Sequence, residues 1–293
     1  MSDSPVNFGG LPPEQTDRAA ARFLVLPVPH EETVTYGGGT GKGPAAVIDA
    51  SRQVELWDEE LLRETCDAGI HTLAEFRPPR LKGEKYVRAL ADHAGQLIQE
   101  GKTLVSLGGE HSITPALVEG VKRKYPKLSV FQIDAHADLR EEYEGSKWSH
   151  ACAMKRVLDQ GCRLAQAGVR NYSKGEVPFL DRGLVATSPA HLTRTPAEIR
   201  RAVERFLSHL TDDVYITVDI DGLDPSLVPG TGTPEPGGLG WYETLDYLRP
   251  IFAQKNVVAF DVVEVAPIEG SNVSQFVAAK LVYRMMGYAV RGK

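Results

Sequence analysis

Apolar runs alternate with amphipathic segments along almost the whole chain. RFLVLPVP, from Arg22, reads as a strand, and GPAAVIDASRQVELW, which starts with Gly43 and Pro44, reads as a helix. KYVRALADHAGQLIQEG carries apolar residues at helical spacing and is expected to stop at Gly101. TLVSLGG then reads as a strand, TPALVEGVKRKY as a helix, LSVFQIDAH as a strand, HACAMKRVLDQG as a helix and RLAQAGV as a short strand. TPAEIRRAVERFLSHL predicts a long helix, with Thr195 as its N-cap, Pro196 at the first helical position and Glu198 at the third. VYITVDID, WYETLDYLRPIFAQ, VVAFDVVEV and SQFVAAKLVYRMMGYAV follow as strand, helix, strand and closing helix. Strands that are apolar almost throughout, separated by helices, mean a parallel sheet covered on both faces. No repeat, low-complexity segment or long linker interrupts the pattern. It predicts one α/β domain over residues 19–293, preceded over residues 1–18 by an N-terminal arm rich in Pro, Gly and polar residues.

Composition narrows the class. A chain with 42% hydrophobic and 25% charged residues is ordinary for a soluble globular protein. The formal net charge of -6 argues against nucleic-acid or anionic-membrane partners, which want a basic surface, and is compatible with a cationic ligand. The three cysteines, Cys66, Cys152 and Cys162, are odd in number and lack CxxC spacing, so a reduced, cytoplasmic setting is expected and a disulfide framework is not. The opening MSDSPVNFGGLPPEQTD lacks a basic and an apolar region, so no signal peptide is expected, and no apolar run approaches the ~18 residues of a membrane span.

Parallel sheets gather function at the C-terminal ends of their strands. TLVSLGG runs into Glu110 and His111, LSVFQI into Asp134, His136 and Asp138, VYITV into Asp219 and Asp221, and VVAFDVV into Glu264. Residues two apart share one side of an extended chain, so Asp134, His136 and Asp138 are expected to point together, and so are Asp219 and Asp221. Four carboxylates packed without counter-charge repel strongly. Two divalent cations would neutralise them, and a donor set of carboxylate and imidazole without thiolate suits Mn²⁺ better than structural Zn²⁺. One Asp or His at a strand end is usually a cap or a surface residue; such groups on three separate strands are not.

These segments carry a resemblance. GGEHSIT, DAHADLR, VDIDGLDPSLVPGTGTPEPGGL and FDVVEVAP resemble, in order and spacing, the signature segments of the ureohydrolase family, which contains arginases and agmatinases. The likeness extends from YGGGTGKGPAAVIDAS to the C-terminal helix. It implies a three-layer α/β/α fold with a parallel central sheet and two Mn²⁺ per chain, held by His111, Asp134, His136, Asp138, Asp219 and Asp221, with Asp134 and Asp221 as bridging candidates. It implies that His150, in WSHACAMKR, shuttles protons and that Glu264 pairs with the substrate guanidinium. The activity implied is attack of a metal-bridging hydroxide on a guanidinium, giving urea and an amine. YGGGTGKGP resembles a phosphate loop only superficially: Tyr36 stands where GxxxxGK[ST] needs Gly, and Gly43 where it needs Ser or Thr.

Arginases carry an Asn where this chain has Arg140, and DLREEYEGSKWSHACAMKR looks more like agmatinases. The resemblance therefore implies agmatine as substrate and putrescine as product, with N1-aminopropylagmatine, guanidinobutyrate or arginine as alternatives. Glu141, Glu142 and Glu144 form either a loop that favours a cationic tail or a solvated acidic loop. Asp224 is expected to cap a turn, and the PGTGTPEPGG loop to lie near the metals without needing to touch substrate. The family implies a homohexamer or homotrimer.

Overall fold

Phe23 and Val25 enter one hydrophobic core while Leu24, Leu26 and Val28 enter another. That alternation is what a strand buried on both faces requires. The computed structural model describes residues 6–78, 80–98, 102–180 and 182–290. Its ten strands are β1 (Phe23–Val28), β2 (Trp57–Asp58), β3 (Arg63–Glu64), β4 (Ile70–Thr72), β5 (Thr103–Gly108), β6 (Ser129–Ile133), β7 (Leu164–Val169), β8 (Val185–Pro189), β9 (Asp213–Asp219) and β10 (Asn256–Val263). Eight of them form one sheet in the order β4-β1-β5-β10-β9-β6-β7-β8, and every pairing in it is parallel. β2 and β3 form a separate antiparallel pair.

The helices are α1 (Pro13–Thr16), α2 (Gly43–Ser51), α3 (Gly83–Leu97), α4 (Thr114–Lys122), α5 (Ala153–Asp159), α6 (Pro196–His209), α7 (Trp241–Gln254) and α8 (Val273–Val290). Residues of α3, α4 and α5 fill the core on one face of the sheet. Residues of α2, α6, α7 and α8 fill the core on the other. The result is the expected three-layer α/β/α fold. α6 begins with the expected capping box, in which Thr195 Oγ1 accepts from the Glu198 amide and Glu198 Oε2 accepts from the Thr195 amide.

Three expectations shift. α2 stops at Ser51, because Val54 turns into the core and Trp57 begins β2. β4 and β8 are additional strands at the two edges of the sheet. Of the segment read as an arm, Phe8 and Leu11 are buried in the core beside α2 and β4. The stop expected at Gly101 lies outside the described residues.

Candidate metal centre and active-site chamber

β5, β10, β9 and β6 lie side by side in the middle of the sheet, and all four end at the same edge. Close backbone approach brings those ends together. The Gly109 amide donates to the Val28 carbonyl and the Glu110 amide to the His30 carbonyl, each at 2.9 Å. A Cβ at Gly109 would lie 1.9 Å from the His30 carbonyl oxygen, so only glycine lets the end of β5 pass the end of β1. Gly222 plays the same part between β9 and β6, where a Cβ would fall 2.8 Å from the Asp134 amide nitrogen.

His111 Nδ1 faces three carboxylates: Asp134 Oδ2 and Asp138 Oδ2 at 3.1 Å and Asp219 Oδ2 at 3.4 Å. None is aligned as a hydrogen bond, so this buried nitrogen is unpartnered. The other ring nitrogen is fixed from behind. Thr217 Oγ1 donates to Asp261 Oδ1 at 2.5 Å and so accepts from His111 Nε2 at 2.9 Å, which turns Nδ1 toward the carboxylates. His136 Nδ1 forms a second group, 3.1 Å from Asp221 Oδ2 and 3.5 Å from Asp134 Oδ1. Asp134 therefore belongs to both groups, one oxygen to each, and lies fully buried beneath them. Asp221 is engaged on its other oxygen by the Ala135 amide at 3.1 Å.

The electrostatics ask for a cation. Burial and then the charges of Asp221 and Asp134 hold the Asp219 carboxyl well above its usual range. Burial and the Asp134 charge raise Asp138. Burial opposes protonation of His111, but Asp134, Asp138 and Asp219 outweigh it and raise the imidazole well above its ordinary value. An orphaned buried nitrogen among carboxylate oxygens is a donor set that fits a divalent metal.

Backbone conformation departs from the expected alternation. β6 ends at Ile133, and Asp138 sits at φ 54°, in the left-handed region. Asp221 lies in a 3-10 turn over Ile220–Gly222. Asp219 is the last residue of β9; the other ligand-type side chains join it because the chain coils beyond the strand ends, and a strand's two-residue period does not place them. Glu264, at φ 64°, is the second site residue in that sparsely populated region. Its Oε1 accepts from the His111 amide at 2.6 Å. Burial, despite that amide, holds its carboxyl well above the usual range. His111, His136, Asp138, Asp219, Asp221, Glu264 and His150 line one slot.

Residues 21–287 match the model of the arginase family. The chain belongs to the arginase family. It is 40% identical over 280 residues to an N(1)-aminopropylagmatine ureohydrolase of Synechocystis sp., covering 93% of this chain and 90% of that protein. It is 30% identical to an agmatinase of Pyrococcus horikoshii, with 92% and 93% covered. The crystal structure of an agmatine ureohydrolase of Thermoplasma volcanium superposes with a TM-score of 0.81 at 26% identity, covering 99% of this chain and 95% of that one. Relatives with such names are hydrolytic enzymes acting on guanidino groups, and so is this arginase-family chain.

His150 is held in this arginase-family site through Glu110, the acid noted beside His111, and through Thr33 and Thr35, which the sequence did not single out. Glu110 Oε2 accepts from the amides of Glu32 and Thr33, at 2.8 and 2.7 Å, and Glu110 Oε1 accepts from Thr33 Oγ1 at 3.0 Å. Thr33 Oγ1, with its proton given to Glu110, accepts from His150 Nδ1 at 3.0 Å. His150 Nε2 is left facing Thr35 Oγ1 at 2.9 Å. Glu31 holds the glycine loop beside them, accepting from the Gly39 and Gly41 amides at 2.7 and 2.9 Å.

Outside the slot the site widens into a chamber of about 170 Å³, lined among others by Arg140, Tyr143, Asn171, Glu176 and Glu235. The Arg140 guanidinium lies 4.9 Å from the Tyr143 ring centroid, and its Nε is 3.7 Å from Glu176. The acidic loop turns elsewhere: Glu141 pairs with Lys155 and Arg156, and Glu142 and Glu144 are exposed. Asp224 caps its turn, accepting from Ser226 and from the Gly237 and Gly238 amides. Thr33, Thr35, Thr217, Asp261, Asn171 and Glu235 are the site residues that motif reading passed over. Asp261 stands inside an otherwise apolar strand, and its buried carboxylate was the one signal available.

Proposed function

We propose that this chain is a binuclear manganese amidinohydrolase that releases urea from a cationic guanidinoalkyl amine. The observation that carries the reading is the sharing of buried Asp134 between the His111 and His136 groups, with Glu264 and His150 on the same slot. In this reading His111, Asp134, Asp138 and Asp219 would hold one ion, and Asp134, His136 and Asp221 would hold the other. When bound, the metal pair supplies an acidified water as nucleophile and offsets the clustered negative charge.

The protein side chains do the rest. Glu264, anchored by the His111 amide, binds and orients the planar guanidinium, whose charge meets a carboxylate that burial has made reluctant to ionise alone. An amine leaves only after protonation. His150, held with Nδ1 protonated, presents Nε2 as the atom that carries the proton to the departing nitrogen. Thr33 and Glu110 keep the ring in that tautomer.

N1-aminopropylagmatine is the preferred substrate, because the relative at 40% identity carries that name. Agmatine, favoured by the sequence motifs, is the second reading and is supported by the agmatinase at 30%. The reading also takes the chain as a homohexamer or homotrimer in the cytoplasm; among the described residues no helix is long and apolar enough to cross a membrane.

The test is urea release after loading metal-free protein with Mn²⁺, with N1-aminopropylagmatine, agmatine, guanidinobutyrate and arginine side by side and metal content measured. Two Mn²⁺ per chain and fastest urea release from N1-aminopropylagmatine are expected. Two bound ions with no urea from any of the four would sink the reading.

A further inference from the structure

The outer chamber carries one carboxylate with no direct ion pair among the described residues. Four charged side chains line it: Asp138, Arg140, Glu176 and Glu235, beside His136 and His150. Asp138 faces inward to His111. Glu176 is buried and saturated, accepting from the Leu139 amide at 2.9 Å, the Ser173 amide at 2.6 Å and the Ser173 hydroxyl at 2.7 Å. Arg140 is drawn toward Glu176 and stacked on Tyr143, so its charge is matched within the wall. Glu235 is left. Its Oε1 accepts from Asn171 Nδ2, and the counter-charge in range is the Arg170 guanidinium, whose N–H groups go to backbone carbonyls rather than to the carboxylate.

The position of Glu235 is fixed from the metal side. Asn171 bridges His136 in parallel register, and its carbonyl accepts from the Ala137 amide at 3.3 Å. From the chain's other direction, Arg170 Nη2 donates to the Glu235 carbonyl at 2.7 Å and to the Asp221 carbonyl at 2.7 Å. Glu235 is thus tied through two neighbours to the backbones of His136 and Asp221, while its side chain reaches the outer chamber.

We infer that Glu235 is the specificity residue of this site: its carboxylate takes the ammonium of the substrate tail while the guanidinium lies in the inner slot. This rests on the reading that the slot takes a guanidinium. It reassigns the role the sequence offered to Glu141, Glu142 and Glu144, and it places the acid in the PGTGTPEPGG loop instead. A carboxylate without a direct ion pair in a concave, partly desolvated wall favours a cationic tail and repels an anionic one.

The test uses Glu235→Gln, which keeps the acceptor facing Asn171 and removes the charge. Agmatine, butylguanidine and 4-guanidinobutyrate share the guanidine and differ in a positive, an apolar and a negative tail. kcat/KM is measured for each on the Mn²⁺-loaded full chain, and equilibrium binding of agmatine and butylguanidine is measured on metal-free protein, where no hydrolysis intervenes. The variant is expected to lower the agmatine-to-butylguanidine ratio about tenfold in both measurements, to leave butylguanidine within about twofold, and to improve 4-guanidinobutyrate. An unchanged ratio, equal loss on all ligands, or wild-type protein that binds neither guanidine overturns the assignment. Urea release with an unchanged ratio sinks the tail subsite and leaves the hydrolase reading intact. A shifted binding ratio without urea from any guanidine does the reverse.

Discussion

At the scale of single residues, the site depends on hydroxyls that decide where imidazole protons sit. His111 can offer Nδ1 inward only because Thr217, committed to Asp261, accepts from Nε2. Thr217→Val removes that acceptor at nearly constant volume and leaves a buried N–H unpaired. Metal affinity is expected to fall about 10- to 100-fold, as losses behind a ligating histidine typically do, and Thr217→Ser is expected to restore most of it. Titration of the metal-free variants with Mn²⁺ reads this directly; equal affinity in wild type and valine variant would remove Thr217 from the site. The ligand-type residues themselves were legible, since Asp and His crowded at the ends of several neighbouring strands repel or desolvate one another unless a cation joins them. Thr33, Thr35 and Thr217 were not, because a threonine's partners lie far away in sequence: 184 positions separate Thr33 from Thr217, yet both steady a histidine of one slot. Glu235 was equally hidden. A Glu between two prolines reads as loop solvation until the fold shows which acids of the neighbourhood are already matched.

At the scale of elements, burial on both faces made six strands readable from apolar runs alone. β4 and β8 escaped because edge strands need no such run: β4 has three residues, and β8 contains Thr187, Ser188 and Pro189. The alternation expected for Asp134, His136 and Asp138 anticipated that these side chains gather, for an incomplete reason, since Asp138 reaches His111 through left-handed backbone beyond the strand. What positions the strand ends is the close approach at glycines. Gly109→Ala sets a methyl against the His30 backbone, with the carbonyl oxygen at 1.9 Å and the carbon at 2.8 Å, and neither strand can retreat without breaking the β1–β5 ladder. A loss of roughly 3 kcal/mol or more is expected. His111 lies two residues on, so metal affinity should fall with the melting temperature. Gly145→Ala, at φ +78° with open space around the site of its Cβ, should lower stability by only about 1 kcal/mol through backbone strain. Thermal melts of the two variants compare the effects, and a Gly109→Ala protein as stable as Gly145→Ala would refute the close-approach argument.

At the scale of the whole molecule, the fold gathers four carboxylates at the centre of its sheet, where the chain's negative balance gives no relief. The Asp219 carboxyl, raised by burial and by Asp221 and Asp134, shows the sign of the effect. A carboxyl whose pKa rises on folding contributes its stability below its unfolded value and loses it as pH climbs through the folded value. At neutral pH the metal-free protein therefore carries this loss, and a bound cation reverses it. Asp219→Asn separates the two states. Its side-chain oxygen can still accept the Asp221 amide, as Asp219 Oδ1 does at 3.0 Å, while the group beside His111 Nδ1 can no longer ionise. In chelator the variant is expected to be more stable than wild type by roughly 1–2 kcal/mol, a rise in melting temperature of a few degrees. In Mn²⁺ the order should invert, because wild type gains about 4 kcal/mol at a free ion concentration a thousand times its Kd and the variant gains far less. Differential scanning calorimetry in the two buffers decides the matter. A variant less stable than wild type in both would mean that Asp219 serves the fold rather than an ion, and that charge at this edge of the sheet is not what the metal relieves.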